Sequence, residues 1–242
     1  TSQKGDLHVE TTISIISISK TNKTLVYKKN NQRHEVQYES LISTIPIHSF
    51  YSLQNKKSEK VAQSLSKLKY LDIIFVYLFL DVDQVSNDHW LYFPDGEIIF
   101  NRSVEFTTWS RKMSPKGQTC ICFDITAKKN SSIFQYNNDE ITSRVIKDAD
   151  RIGYINKNSV FNTKVIRLSN AYPIYTLDYK DRLINIVKYL ETDDVYLLGR
   201  TGIFRYNNSD NSIEMGFKLA DNFIKNKKMK SILDYSFKEI SY

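Results

Sequence analysis

The sequence predicts an α+β fold built on a substantial mixed or largely antiparallel sheet. The run DIIFVYLFLDV (72–82) is continuous, β-branched and aromatic, as expected of a strand central in a sheet. Other strand-like runs are bracketed by turns of clear chemistry, Pro94-Asp95-Gly96-Glu97 and Ser114-Pro115-Lys116-Gly117. Helical periodicity is confined to separate segments, of which Leu183, Ile186, Val187 and Leu190 form one.

In chain order, Ile13, Ile15 and Ile18 with Leu25, Val26 and Tyr27 predict a hairpin turning at Lys20–Lys23. The polar stretch KKNNQRHE (28–35) reads as a turn, and Ser40–Ile45 as a buried strand stopped by Pro46, which cannot donate to a ladder. Val61, Leu65 and Leu68 fall on one helical face within 58–70. After the central strand, WLYFP and IIFNRSVEF form a hairpin around Pro94–Glu97, and a second hairpin leads into QTCICFDIT. Residues 138–152 read as helix and 161–168 as strand, with 171–175 extended by Pro173.

Composition bounds the function. With 242 residues, 41% hydrophobic and 13% aromatic, the chain can bury a sizeable core and is not a disordered segment. The net charge of +7 comes from lysines scattered or in short groups such as Lys56-Lys57 and Lys227-Lys228, so nucleic acid is not an expected partner. Cys120 and Cys122 share one strand face, too close for a usual disulfide and without metal-ligating neighbours. Buried thiols in a reducing compartment, hence a cytoplasmic protein, are expected. His8, His34, His48 and His89 lack metal-ligand spacing. The apolar run 73–80 is too short to cross a bilayer, and no signal-peptide pattern opens the chain. Thr1 and the strand-like opening suggest a piece of a longer protein.

The chain is organised around residues 196–220, YLLGRTGIFRYNNSDNSIEMGFKLA. A short strand at 195–198 turns through Gly199-Arg200-Thr201-Gly202 and enters a helix near Asp210, with Asn207, Asn208, Ser209 and Asp210 all good N-cap residues. Ile213, Phe217, Ala220, Phe223 and Ile224 predict its buried face. Free N–H groups and a positive dipole end at one spot make an anion or cofactor cradle; an ordinary strand-to-helix junction that needs glycine sterically is the alternative. No G-x-S-x-G, H-E-x-x-H, Walker loop or G-x-G-x-x-G is present. A cradle without catalytic side chains fits a protein whose cofactor does the chemistry.

Four segments carry a family likeness. YESLISTIP (38–46) resembles D-x-V-I-S-T-I-P, LYFPD (91–95) with Phe100-Asn101-Arg102 resembles a substrate-domain hairpin, and AYPIY (171–175) resembles an N-x-Y-P-like segment. Gly199-Arg200-x-Gly202 with Phe204-Arg205-Tyr206 and Ile213 resembles G-R-L-G-x-Y-R-Y-L-D-M. In this order, over about residues 9–225, they resemble the C-terminal part of the flavin-dependent amine oxidase superfamily, nearest the protoporphyrinogen-oxidase-like proteins and the UDP-galactopyranose mutases.

The resemblance implies a substrate-domain sheet with helices, plus the final strand and helix of a Rossmann-like FAD domain. It implies a hairpin and connecting strand over 1–50, a substrate-binding domain over 51–176, the FAD-domain strand and helix over 177–227 and a peripheral tail over 228–242. FAD is the implied cofactor of the intact protein, its ADP-binding half absent from this chain. Gly199, Arg200, Thr201, Gly202, Asn208, Asp210, Asn211 and Ile213 are implied on the cofactor side, and Arg102, Tyr172 and Tyr206 on the substrate side. The parent activity implied is that of an FAD-dependent oxidoreductase acting on a small molecule. A flavin-dependent sugar-nucleotide mutase, or a non-catalytic binding domain, is the alternative. Asn207 and Asn208 stand where the mutase pattern has leucine and aspartate.

Overall fold

The computed structural model describes residues 8–128, 131–192 and 194–225; the expected tail at 228–242 lies outside them. Strands β1 (Ser14–Ser19), β2 (Thr24–Lys29), β3 (Gln32–Gln37) and β4 (Leu41–Ser43) come first. Helices α1 (Ile47–Ser52) and α2 (Glu59–Ser66) lead to β5 (Lys69–Leu80). Next come β6 (Trp90–Tyr92), β7 (Arg102–Glu105), the single turn α3 (Phe106–Trp109), β8 (Thr119–Lys128), α4 (Asn138–Arg151) and β9 (Val160–Ile174). The chain continues through α5 (Tyr179–Leu190), β10 (Val195–Leu197), the turn α6 (Gly199–Gly202) and α7 (Ser209–Ile224). It divides into two compact units, one of residues 1–69 with 175–242, the other of residues 70–174.

In the first unit β1, β2 and β3 form an antiparallel sheet, and β10 pairs in parallel with β4. β3 corrects the reading of 28–35 as a turn. Asn30 and Asn31, both at positive φ, make a two-residue hairpin loop between paired Lys29 and Gln32, the backbone a tight hairpin needs and asparagine tolerates. β3 is an edge strand with almost every side chain exposed, so it shows no apolar alternation. Ile47, Phe50, Leu65, Ile186, Val187 and Leu190 fill the core, bringing the predicted faces of α2 and α5 inward.

The second unit is a five-stranded sheet in the order β6-β7-β8-β5-β9, with the predicted central strand paired on both sides. Ile121, Phe123 and Ile125 of β8 and Ile74, Val76, Leu78 and Leu80 of β5 bury one face with Ile141, Val145 and Ala149 of α4. A capping box starts α4: Asn137 Oδ1 accepts from Glu140 N–H and Glu140 Oε2 from Asn137 N–H, each at 2.9 Å. The hairpin expected around Pro94–Glu97 exists as β6 with β7, but its loop runs from Phe93 to Asn101. Ile98 and Ile99 are not strand; Phe100 is fully buried and packs 4.6 Å, centroid to centroid, from Phe123. Core burial of that ring outweighs the β-propensity of the run.

Candidate functional site

The turn after β10 is sewn to the end of β4. Leu198 N–H donates to Ser43 O (2.8 Å), and Thr201 Oγ1 donates to Thr44 O (3.0 Å). The carboxyl ends of two parallel strands therefore lie side by side, where open α/β sheets place their ligands. Gly199 has φ +76° and open space where a Cβ would stand, so its conformation and its open surroundings both suit close approach of a ligand. Gly202 is glycine for another reason: a Cβ there would lie 3.0 Å from Ser43 O. Its role visible in the structure is packing the turn onto β4.

Arg200 NH1 donates to Asn207 O (3.2 Å), and its guanidinium lies 4.5 Å over the Tyr206 ring. Tyr206 N–H donates to Tyr175 Oη at 2.6 Å. Phe204, buried and at positive φ, packs on Tyr175 and Tyr179. Residues 199–207 thus close on themselves. Asn208 and Asn211 cap α7 reciprocally, Asn208 N–H donating to Asn211 Oδ1 at 3.2 Å; these amides serve the helix. Asp210 and Ile213 are exposed. Ser43 Oγ and Asn207 Oδ1 are buried without a hydrogen-bond partner among the described residues. An orphaned hydroxyl at the strand end and open space over Gly199 fit a bound polar group better than a closed structural junction.

The predicted apolar face of α7 is not buried, which corrects the sequence reading. Ile213, Phe217, Phe223 and Ile224 are 59%, 71%, 41% and 80% exposed, and the helix buries Met215 and Leu219 instead.

Arg102 and Tyr172 belong to the second unit, on the sheet face opposite α4. Paired residues of neighbouring strands share a face, so the register sets out two rows across β6, β7, β8 and β5. One is Trp90–Val104–Cys122–Tyr77; the next is Tyr92–Arg102–Asp124–Phe75. Arg102 donates to Asp124 Oδ2 through Nε at 2.7 Å and also through NH2, and it interacts electrostatically with Tyr172 and Tyr92. Burial pushes the Asp124 carboxyl up, opposed by the Arg102 guanidinium. Burial also raises the thiols of Cys120 and Cys122, to about 11 and about 12, and the neighbouring Asp124 carboxylate adds to the rise at Cys122. At the β6 edge Trp90 stacks on Trp109, 5.5 Å between centroids. Sequence reasoning missed Asp124, although its place two residues after Cys122 sets it on the same face.

A concavity of about 370 Å³ near Lys20 and Gln54, and another of about 640 Å³ near Gly96 and Arg144, are lined by none of the predicted site residues. Among the described residues no His, Cys, Asp or Glu cluster suits a metal, and no helix is long and apolar enough to cross a membrane.

No known protein-family profile matches the chain. Solved structures do. A reduced UDP-galactopyranose mutase superposes with a TM-score of 0.69 at 20% identity, covering 89% of this chain and 46% of the mutase. A protoporphyrinogen oxidase-like protein from Exiguobacterium sp. 255-15 gives 0.57 at 15% identity, covering 84% and 47%. A CLA-producing fatty acid isomerase from P. acnes gives 0.60 at 12% identity, covering 87% and 47%. The chain shares the fold of these three structures. The chain spans about half the length of the structures it matches, and identities this low establish fold alone.

Proposed function

We propose that the chain is the substrate-domain half of an FAD-dependent oxidoreductase, together with the last strand and helix of its cofactor domain. The observation that carries this reading is the junction at Gly199. Two parallel strand ends and a left-handed glycine with open space precede the capped helix α7, within a fold shared with the mutase and the oxidase-like protein. FAD, when bound, would supply the hydride-accepting centre.

The residues of this chain bind and orient. Gly199, Arg200, Thr201 and Gly202, with Asn208, Asp210, Asn211 and Ile213, form the cofactor side; Arg102, Tyr172 and Tyr206 serve the small-molecule substrate. Residues 1–50 and 177–227 accompany the cofactor domain, and 51–176 the substrate domain. The ADP grip would come from residues other than these 242, and the bare face of α7 fits packing against them. Buried thiols suit a cytoplasmic setting.

The test is flavin occupancy of the intact protein. Arg200→Ala should lower it about tenfold, the scale of one lost charge-assisted contact; full occupancy in the variant overturns the assignment. The mutase reading is the alternative, since the fold is shared with a UDP-galactopyranose mutase as well. Turnover of a UDP-sugar only after flavin reduction would select it, whereas oxygen-dependent flavin reoxidation after substrate would select the oxidase. A protein without flavin in either assay would be a binding domain.

A further inference from the structure

We infer that the open face of the five-stranded sheet takes a flat, uncharged, conjugated ring compound in preference to a phosphorylated sugar. The inference rests on the flavin-enzyme reading and names the substrate class for it. Three strand spacings and two residues along each strand give the two rows a patch of about 14 by 7 Å, the size of a fused-ring molecule. Its ends are aromatic: Trp90 and Tyr92 at the β6 edge are 49% and 68% exposed, and Tyr77 and Phe75 are half-buried on β5. Tyr77 already stacks on Phe106 and Trp90 on Trp109, so Tyr92 and Phe75 offer the stacking surface for a further ring.

Charge decides against the anion. Within the two rows the residues bearing formal charge at neutral pH are Arg102 and Asp124, and they neutralise each other through two donated hydrogen bonds to one carboxylate oxygen. The Asp124 side chain is only 5% exposed. Turning Arg102 toward a diphosphate would leave a buried carboxylate unpaired, the costly half of breaking such a pair. A sugar-nucleotide site needs surplus positive charge, and this face has none in its rows. An uncharged ring can lie over the pair without disturbing it.

Both tryptophans of the chain, Trp90 and Trp109, stack at this face, so their fluorescence reports on it directly. The full 242-residue chain is titrated with 9-anthracenemethanol, an uncharged tricyclic probe, and separately with UDP. The anthracene probe should quench tryptophan emission saturably while UDP leaves it unchanged. Tyr92→Ala, at an exposed position, should weaken the anthracene probe about fivefold or more by removing one stacking surface. Asp124→Asn, with its fold checked by circular dichroism, should gain UDP affinity by about tenfold as Arg102 loses its counter-charge. Saturable UDP quenching in the unaltered chain overturns the inference. So does an absence of quenching by the anthracene probe, or its indifference to Tyr92→Ala. Neither titration uses flavin, so these failures leave the flavin reading to be judged by its own occupancy test.

Discussion

Helices α4 and α7 begin alike and end up differently. Each opens with an asparagine-led capping box, Asn137 with Glu140 and Asn208 with Asn211, and each has an apolar stripe legible by its spacing. The stripe of α4 is shut: Ile141, Val145 and Ala149 are fully buried against the sheet. The stripe of α7 is open, with Ile213, Phe217 and Ile224 facing solvent, while Met215 and Leu219 hold the helix to its own unit. Periodicity therefore says that a helix has an apolar face to cover. It does not say whether the cover lies in the same unit, or which of two adjacent stripes is covered first.

The largest expected difference is in stability. Ile141→Ala in α4 should cost about 2–5 kcal/mol through lost burial and a cavity, whereas Phe217→Ala in α7 should change stability by no more than about 0.5 kcal/mol. Urea unfolding of the two variants checks this, and equal losses would mean that the α7 face is covered in solution. Gly202→Ala comes next, at about 1–3 kcal/mol, because the added methyl meets the Ser43 carbonyl at the turn that positions α7; an unchanged midpoint would show that β4 yields. The caps should be equal: Asn137→Ala and Asn208→Ala should each cost about 1 kcal/mol. A loss confined to Asn137 would show that capping matters only where the stripe is shut.

The smallest effect is at the entry to α5, in the same unit as α7. Hydrogen bonds from Arg182 and then Thr176 pull the exposed Asp178 carboxyl down to about 2. A folded value below the unfolded one means stability present above the unfolded range, near pH 4, and lost as pH falls toward 2. Asp178→Asn should remove a small part of the acid-limb slope in unfolding measured across that window, and an identical slope would show the pair to be fully screened.

The central strand was legible because β5 is buried within its sheet and carries a continuous apolar run. α4 was legible because cap, acidic first turn and apolar stripe all agree. β3 was not: an exposed edge strand needs no pattern, and its signal was the Asn30-Asn31 turn. Of the candidate site, the glycine turn was visible in sequence, but the two glycines differ in their reasons. Gly199 answers to backbone conformation and Gly202 to the Ser43 carbonyl, distant in sequence at the end of β4, beside the Thr44 carbonyl to which Thr201 is bonded. Arg102 was visible as a charge; its neutralisation by Asp124 needed the register of β7 with β8.

The paired thiols on β8 have a practical meaning. Cys120 and Cys122 are the two cysteines of the chain, both buried, and at neutral pH almost none of either is the reactive thiolate, since their values lie at about 11 and about 12. A thiol-directed reagent reaches them only when the side chains covering them on that face move aside. Alkylation rate is thus an internal clock for uncovering of this face, read without any label added to the protein, and a ligand seated on the aromatic rows should slow it.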